Sequence, residues 1–148
     1  MNNNKRPPGG RSRAALYVLA AALTMAAIFW FSTDAFSSDA TRRWLGEINE
    51  TVRKAAHVTE YAVLFLVLRF ASARLFRKRG NLVHVPLALT LAILYASLDE
   101  WHQTFVPSRS GSGSDVLLDA AGATVGLALW LAWCGLARLR QSSSTTQR

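Results

Sequence analysis

The chain has 148 residues, of which 51% are hydrophobic and 18% charged, and its formal net charge is +8. This length predicts one domain. The positive charge does not indicate a nucleic-acid partner, because most Lys and Arg residues lie in short segments beside long apolar runs. The single cysteine, Cys134, excludes an intramolecular disulfide.

Four apolar runs predict an integral membrane protein. Residues 14–31, 81–98 and 120–137 contain no Asp, Glu, Lys or Arg. Each run has 18 residues, close to the roughly 20 that a helix needs to cross about 30 Å of hydrocarbon. The fourth run, 53–76, is interrupted by charges, but Arg69 can extend its side chain to the membrane surface. The sequence therefore predicts an all-α, four-helix membrane bundle.

Charge placement predicts the orientation of the bundle. Twelve of the 17 Lys and Arg residues lie before the first span, from Arg69 to Arg79 at the end of the second span and in the turn after it, or beyond the fourth span, and these segments contain none of the nine acids. Cytoplasmic segments carry such an excess, so both termini are predicted to be cytoplasmic in a multi-pass protein of the bacterial inner membrane. The predicted spans are about 14–33, 53–76, 82–103 and 115–137, within one domain (14–137) between a disordered basic arm (1–13) and a disordered tail (138–148).

Three polar segments interrupt these runs at the ends predicted to face outwards. The first places Lys54, His57, Glu60 and Tyr61 on one helical face. Ionisable groups inside a membrane span are costly to bury, so they indicate either a functional site or a paired structural contact.

The other two segments lie around the last interhelical loop. One contains Asp99, Glu100, His102 and Gln103 and is followed by Arg109; the other forms a helical stripe of Asp115, Asp119, Gly122 and Gly126. Two glycines at this spacing allow close helix contact, so helix packing is predicted through Gly122 and Gly126. With both termini inside, all three segments are expected to converge on one shallow site.

These motifs resemble those of the VanZ-like membrane proteins. The resemblance rests on Arg53-Lys54-x-x-His57-x-x-Glu60-Tyr61, on Asp99-Glu100-x-His102-Gln103-x-Phe105-x-Pro107-x-Arg109, and on Asp115-x-x-x-Asp119-x-x-Gly122-x-x-x-Gly126. It implies a small helical membrane protein and a link to glycopeptide resistance, specifically to teicoplanin. In that family Asn is frequent at the position of Asp119, which implies a need for a polar group there.

Several functions remain open for this site. The first is binding of a membrane lipid, a wall precursor or an amphiphilic antibiotic, in which Lys54 and Arg109 hold negative charge. The second is acid–base or metal-assisted chemistry on an envelope lipid. The third is a hydrogen-bonded network that only fixes the helices. Candidate catalytic residues are His57, Glu60, Asp99, Glu100 and His102; candidate ligand-binding residues are Lys54, Tyr61, Gln103, Arg109, Asp115 and Asp119.

No cofactor or resident metal is predicted. Imidazole and carboxylate side chains can bind a metal, but no cysteine accompanies these candidates and no His-Glu-x-x-His motif is present. The sequence alone leaves the oligomeric state open.

Overall fold

The structure, a computed structural model, describes residues 9–33, 46–107 and 111–145. Within these ranges the chain forms four α-helices and no strand, which confirms the predicted all-helical fold class. The helices are α1 (Gly9–Phe31), α2 (Asn49–Leu75), α3 (Asn81–Gln103) and α4 (Gly113–Thr145), and a short 3-10 helix (Gly46–Ile48) precedes α2.

Three helices are long and apolar enough to cross a membrane. They contain the segments Arg13–Phe31, Asn81–Gln103 and Gly113–Ser142, with mean hydropathies of 2.1, 1.7 and 1.6. The second helix, α2, lies outside this group although it has 27 residues, because charged residues recur along it from Glu50 to Arg74.

The least apolar helix is also the central one. Helix α2 packs against α1, α3 and α4. Its closest approach is to α4: a Cβ atom added to Gly122 would lie 2.6 Å from the Val58 carbonyl oxygen, and one added to Gly126 would lie 2.6 Å from that of Ala62. The glycine spacing therefore permits backbone contact between α4 and α2.

The core consists of large side chains from α2 packed against small ones from its neighbours. Tyr61, Leu64 and Phe65 are completely buried, and α3 meets them with a stripe of alanines. The alanines are Ala88, Ala92 and Ala96, joined by Ile28 of α1 and Ala123 of α4. Many large apolar side chains elsewhere on the helices are exposed, as expected for surfaces that face lipid.

The helices extend beyond the predicted spans. Helix α1 begins at Gly9, inside the arm predicted to be disordered, and α4 continues to Thr145, well into the predicted tail. The predicted spans follow the apolar residues alone. A helix can continue beyond them into polar sequence when the residues are good helix formers, such as Arg138, Leu139 and Arg140.

Candidate functional site

Buried polar side chains gather at one end of the bundle, called here the polar end. It contains the last residues of α1 and α3 and the first turns of α2 and α4. Five of its acidic and amide side chains are at most 5% exposed: Asn49, Asp99, Glu100, Gln103 and Asp119. Groups of this kind are almost never fully buried unless they are paired, so their partners decide what the polar end can do.

One set of these groups is well hydrogen-bonded. Asp99 Oδ2 accepts from Ser32 Oγ at 2.7 Å and from Gln103 Nε2 at 3.0 Å. Glu100 accepts from Gln103 Nε2 at 3.2 Å through Oε1, and from the Ser112 backbone N–H at 3.0 Å through Oε2. These five residues, called the Glu100 network, connect the end of α1, the end of α3 and the start of α4.

A second set lacks such partners. The Asp119 carboxylate has only 1% of its side chain exposed, and His57 Nδ1 lies 3.4 Å from Asp119 Oδ1. That distance permits a charge contact when the imidazole is protonated, but neither Asp119 oxygen has a hydrogen-bond partner among the described residues. The buried Tyr61 hydroxyl, one helical turn from His57, likewise has none. These three residues form the Asp119 cluster.

A pocket of about 430 Å³ adjoins the Glu100 network between the ends of α1 and α3. Five of its lining residues are apolar or aromatic: Phe29, Tyr95, Leu98, Trp101 and Phe105. The other two, Asp99 and His102, carry Oδ1 and Nδ1 atoms that are buried without a hydrogen-bond partner among the described residues. Small-molecule sites in proteins have volumes of about 300–1,000 Å³, so the pocket is large enough for a ligand.

The comparison with known families identifies the chain. A family model described as VanZ/LLP1 matches residues 12–135, which include all three polar segments and all four apolar runs except the last two residues of the run 120–137. The chain belongs to the VanZ/LLP1 family. The resemblance predicted from the motifs is therefore confirmed, and together with the three apolar helices it indicates a membrane protein. No curated protein and no solved structure matches the chain significantly.

The structure brings many of the candidate residues of this VanZ/LLP1 chain to the polar end. His57, Tyr61, Asp99, Glu100, Gln103 and Asp119 lie in the two buried sets, and His102 lines the pocket with its ring centroid 4.3 Å from that of Phe29. Glu60 and Asp115 are partly buried in α2 and α4. Arg109 lies outside the described residues.

Lys54 lies apart from the buried sets. Its Nζ atom donates to Glu50 Oε1 at 2.5 Å, and both side chains are more than half exposed. The hydrogen bond from this ammonium and its positive charge lower the pKa of the Glu50 carboxyl. Lys54 is thus engaged on the surface of α2 and is not in contact with the buried carboxylates.

Sequence reasoning missed the contribution of α1. The first apolar run of this VanZ/LLP1 chain carries no ionisable residue and contributes no candidate to the predicted site, but its last turn supplies Phe29 to the pocket, and the following Ser32 donates to Asp99. Ser32 is completely buried although it follows the helix. A polar residue directly after an apolar run was the available signal, but serine is common at such positions.

No group of three or more His, Cys, Asp or Glu side chains is arranged to hold a metal ion among the described residues. The closest approach of a candidate imidazole to a candidate carboxylate is the single contact between His57 and Asp119. A metal-free composition of the purified protein stays a prediction, to be checked by elemental analysis.

Proposed function

We propose that this VanZ/LLP1 protein crosses the inner membrane four times, with both termini in the cytoplasm and the polar end at the outer leaflet. The charge distribution supports this orientation, since the basic segments lie at the opposite end of the bundle from the buried acids. In this arrangement α2 is the fourth span, and the three apolar helices packed against it cover part of its surface. Its exposed charged groups Glu50, Lys54 and Arg74 lie near its two ends, where side chains can reach the membrane surface.

Cysteine accessibility tests the topology. In a Cys134→Ala background, Ser37→Cys and Ser114→Cys should react with a membrane-impermeant thiol reagent in intact cells, and Ser143→Cys should react only after permeabilisation. Labelling of Ser143→Cys in sealed cells would contradict the proposed orientation. The polar end would then not lie at the outer leaflet.

For the polar end itself we propose binding of an amphiphilic component of the cell envelope, such as a lipid, a wall precursor or a glycopeptide-type antibiotic. The observation that carries this proposal is the state of Asp119. Its carboxylate is 99% shielded from solvent, and no described residue donates a hydrogen bond to it. A purely structural network satisfies its buried members, because an unpaired buried polar group costs about 1–3 kcal/mol and a charged one more.

The family and the fold support the same proposal. Membership of VanZ/LLP1 is consistent with a role connected to antibiotic resistance. Helices from distant parts of the chain deliver buried polar groups to one end, and a pocket of ligand size opens beside them. Functional sites in membrane bundles have this character: ionisable groups that face the bundle interior at one depth.

Variants at the Asp119 cluster test the proposal. In cells that depend on this protein for resistance to teicoplanin or another envelope-active antibiotic, Asp119→Ala and His57→Ala should abolish resistance while membrane abundance and thermal stability remain close to the parent. Glu47→Gln, an exposed acid of the 3-10 helix, is the matched control and should change nothing. If resistance merely follows protein abundance across the series, the polar end is structural and the proposal fails.

The contact between His57 and Asp119 supports a second candidate, proton-transfer chemistry on an envelope lipid. The imidazole is 17% exposed and lies beside a buried carboxylate, an arrangement that can orient a general base. Mass spectrometry of phospholipid or wall-precursor substrates incubated with purified protein tests it. If the parent forms a product and His57→Gln does not, the protein is an enzyme. Metal that is stoichiometric in the parent and lost in His57→Ala would also favour an enzyme, one that uses a metal-assisted route. Binding without any product favours the binding module.

A further inference from the structure

The pocket beside the Glu100 network is lined almost entirely by apolar surface. The surface that opens outwards is apolar, and its rim residues Leu98, Trp101 and Phe105 are each more than half exposed. Trp101 and Phe105 pack edge to face, with ring centroids 5.3 Å apart. An apolar rim at the level where aromatic residues line a membrane interface suits entry of a hydrocarbon chain from the bilayer.

Two polar side chains of the lining, Asp99 and His102, have buried polar atoms behind this apolar surface. Asp99 is 2% exposed, and its Oδ2 atom is occupied by Ser32 and Gln103, whereas its Oδ1 atom accepts nothing from the described residues. His102 Nδ1 is in the same state, and its ring covers Phe29. Both atoms are buried, so a bound molecule reaches them only when a side chain of the lining, such as His102, changes its rotamer.

The unpartnered oxygen specifies the chemistry of a head group at this position. An ionised carboxylate can only accept hydrogen bonds, so a partner for Asp99 Oδ1 has to donate one. A ligand with its own carboxylate or phosphate would face the Asp99 and Glu100 side chains at short range, where like charges repel strongly in a poorly solvated site.

We propose that the pocket between the ends of α1 and α3 holds the apolar chain of an amphiphile whose uncharged hydroxyl or cationic amine head donates a hydrogen bond to Asp99. This assignment rests on the proposed binding function and specifies its ligand class. It differs from the anion expected from Lys54 and Arg109, because the described pocket offers an acceptor and Lys54 is bonded to Glu50.

Photo-crosslinking of the full-length protein in phosphatidylcholine nanodiscs tests the proposal. The probe is dodecylamine with a diazirine on its chain, and labelled residues are mapped by mass spectrometry. Labelling around Leu98 and Trp101 should saturate, whereas labelling at the exposed Leu94, one turn earlier on α3 and outside the pocket, should rise without saturation. Unlabelled dodecylamine and dodecanol should compete about tenfold better than methyl laurate, which cannot donate, and better than laurate, which is anionic.

Two leucine variants provide the matched comparison. Leu98→Trp fills the pocket without altering the Asp99 hydrogen bonds and should remove the saturable labelling, while Leu94→Trp should preserve it. Asp99→Ala, which removes the acceptor, should abolish the preference for amine over ester. Because that variant alters the Glu100 network and could fail to fold, the competitor series and the leucine pair test the proposal independently.

Several outcomes would overturn the assignment. Equal competition by all four compounds removes the head-group requirement, and a preference for laurate makes the site an anion site. If Leu98→Trp leaves the labelling unchanged, the probe binds outside the pocket. If the parent shows no saturable labelling but Leu98→Trp changes the mass of the oligomer, the pocket is occupied by a second copy of the chain. If labelling fails while Asp119→Ala still abolishes resistance, this inference fails alone. If labelling persists while resistance only follows abundance, the proposed function fails alone.

Discussion

The Glu100 network and the Asp119 cluster occupy the same end of one bundle and are equally buried, yet they differ in how their polar atoms are partnered. Every carboxylate in the network accepts at least two hydrogen bonds, whereas the Asp119 carboxylate has one imidazole at 3.4 Å and no hydrogen bond among the described residues. Burial alone therefore does not separate structure from function. The partners of the individual buried atoms do. A hydrogen-bonded atom stabilises the fold, whereas a buried atom without a partner among the described residues, such as either Asp119 oxygen or Asp99 Oδ1, carries a cost that a ligand can relieve.

The largest expected effect comes from separating the helices that carry the Asp119 cluster. Gly122→Val would place side-chain atoms against the Val58 backbone. Because overpacking a tight contact is destabilising, we expect the free energy of unfolding to fall by about 3 kcal/mol. Gly135→Val is the control, since nothing lies within 4 Å of a Cβ atom there. Thermal melts in detergent measure both. Equal melting temperatures would show that the contact between α2 and α4 can relax.

The next effect should come from the network. Gln103→Ala removes the amide that donates to both Asp99 and Glu100 and leaves two buried carboxylates short of a donor. We expect a loss of about 2 kcal/mol and lower membrane abundance. Thr104→Ala, an exposed neighbour whose hydroxyl bonds only to the Trp101 carbonyl oxygen, should behave like the parent in the same melts. If Gln103→Ala keeps parental stability, the network is not what holds the polar end together.

The same substitution at two buried aspartates tests the comparison directly. Asp99→Asn places an amide beside the Gln103 amide donor and should lower the melting temperature clearly. Asp119→Asn breaks no hydrogen bond to a described residue, so its stability should stay within about 1 kcal/mol of the parent. Chemical or thermal unfolding of the two variants side by side gives the answer. A loss at Asp119→Asn as large as at Asp99→Asn would place both residues in one structural network.

The smallest effect belongs to the exposed pair outside both sets. The Lys54 ammonium lowers the pKa of Glu50 in the folded state. The pair therefore stabilises the folded state at pH values above the pKa that Glu50 has in the unfolded chain, and this stabilisation is lost as the pH falls through the lower pKa of the folded state. Both groups are fully solvated, so Lys54→Ala should leave melting temperatures unchanged while the Glu50 pKa rises towards its ordinary value. An NMR titration of Glu50 in the two proteins measures the shift. A marked loss of stability in Lys54→Ala would show that this pair supports the polar end.

The sequence by itself determined the helical class, the family and the end of the bundle where polarity collects. Long apolar runs predict apolar helices, and three of the four runs are confirmed as helices apolar enough to span a membrane. The glycines of α4 were visible because a repeat of four residues returns to the same helical face. The three polar motifs were visible because ionisable residues are rare in such runs.

Only the tertiary structure decided which polar groups meet. Lys54 and His57 lie three residues apart on α2, yet their partners differ. Lys54 bonds to Glu50 at the surface, whereas His57 contacts Asp119, which lies on α4, 62 positions further along the chain. Ser32 reaches Asp99 across 67 positions. Helical periodicity fixes which residues share a face, but the rotation and approach of each helix depend on packing against all the others. Partnering, burial and the pocket beside Asp99 therefore arise from the assembled bundle.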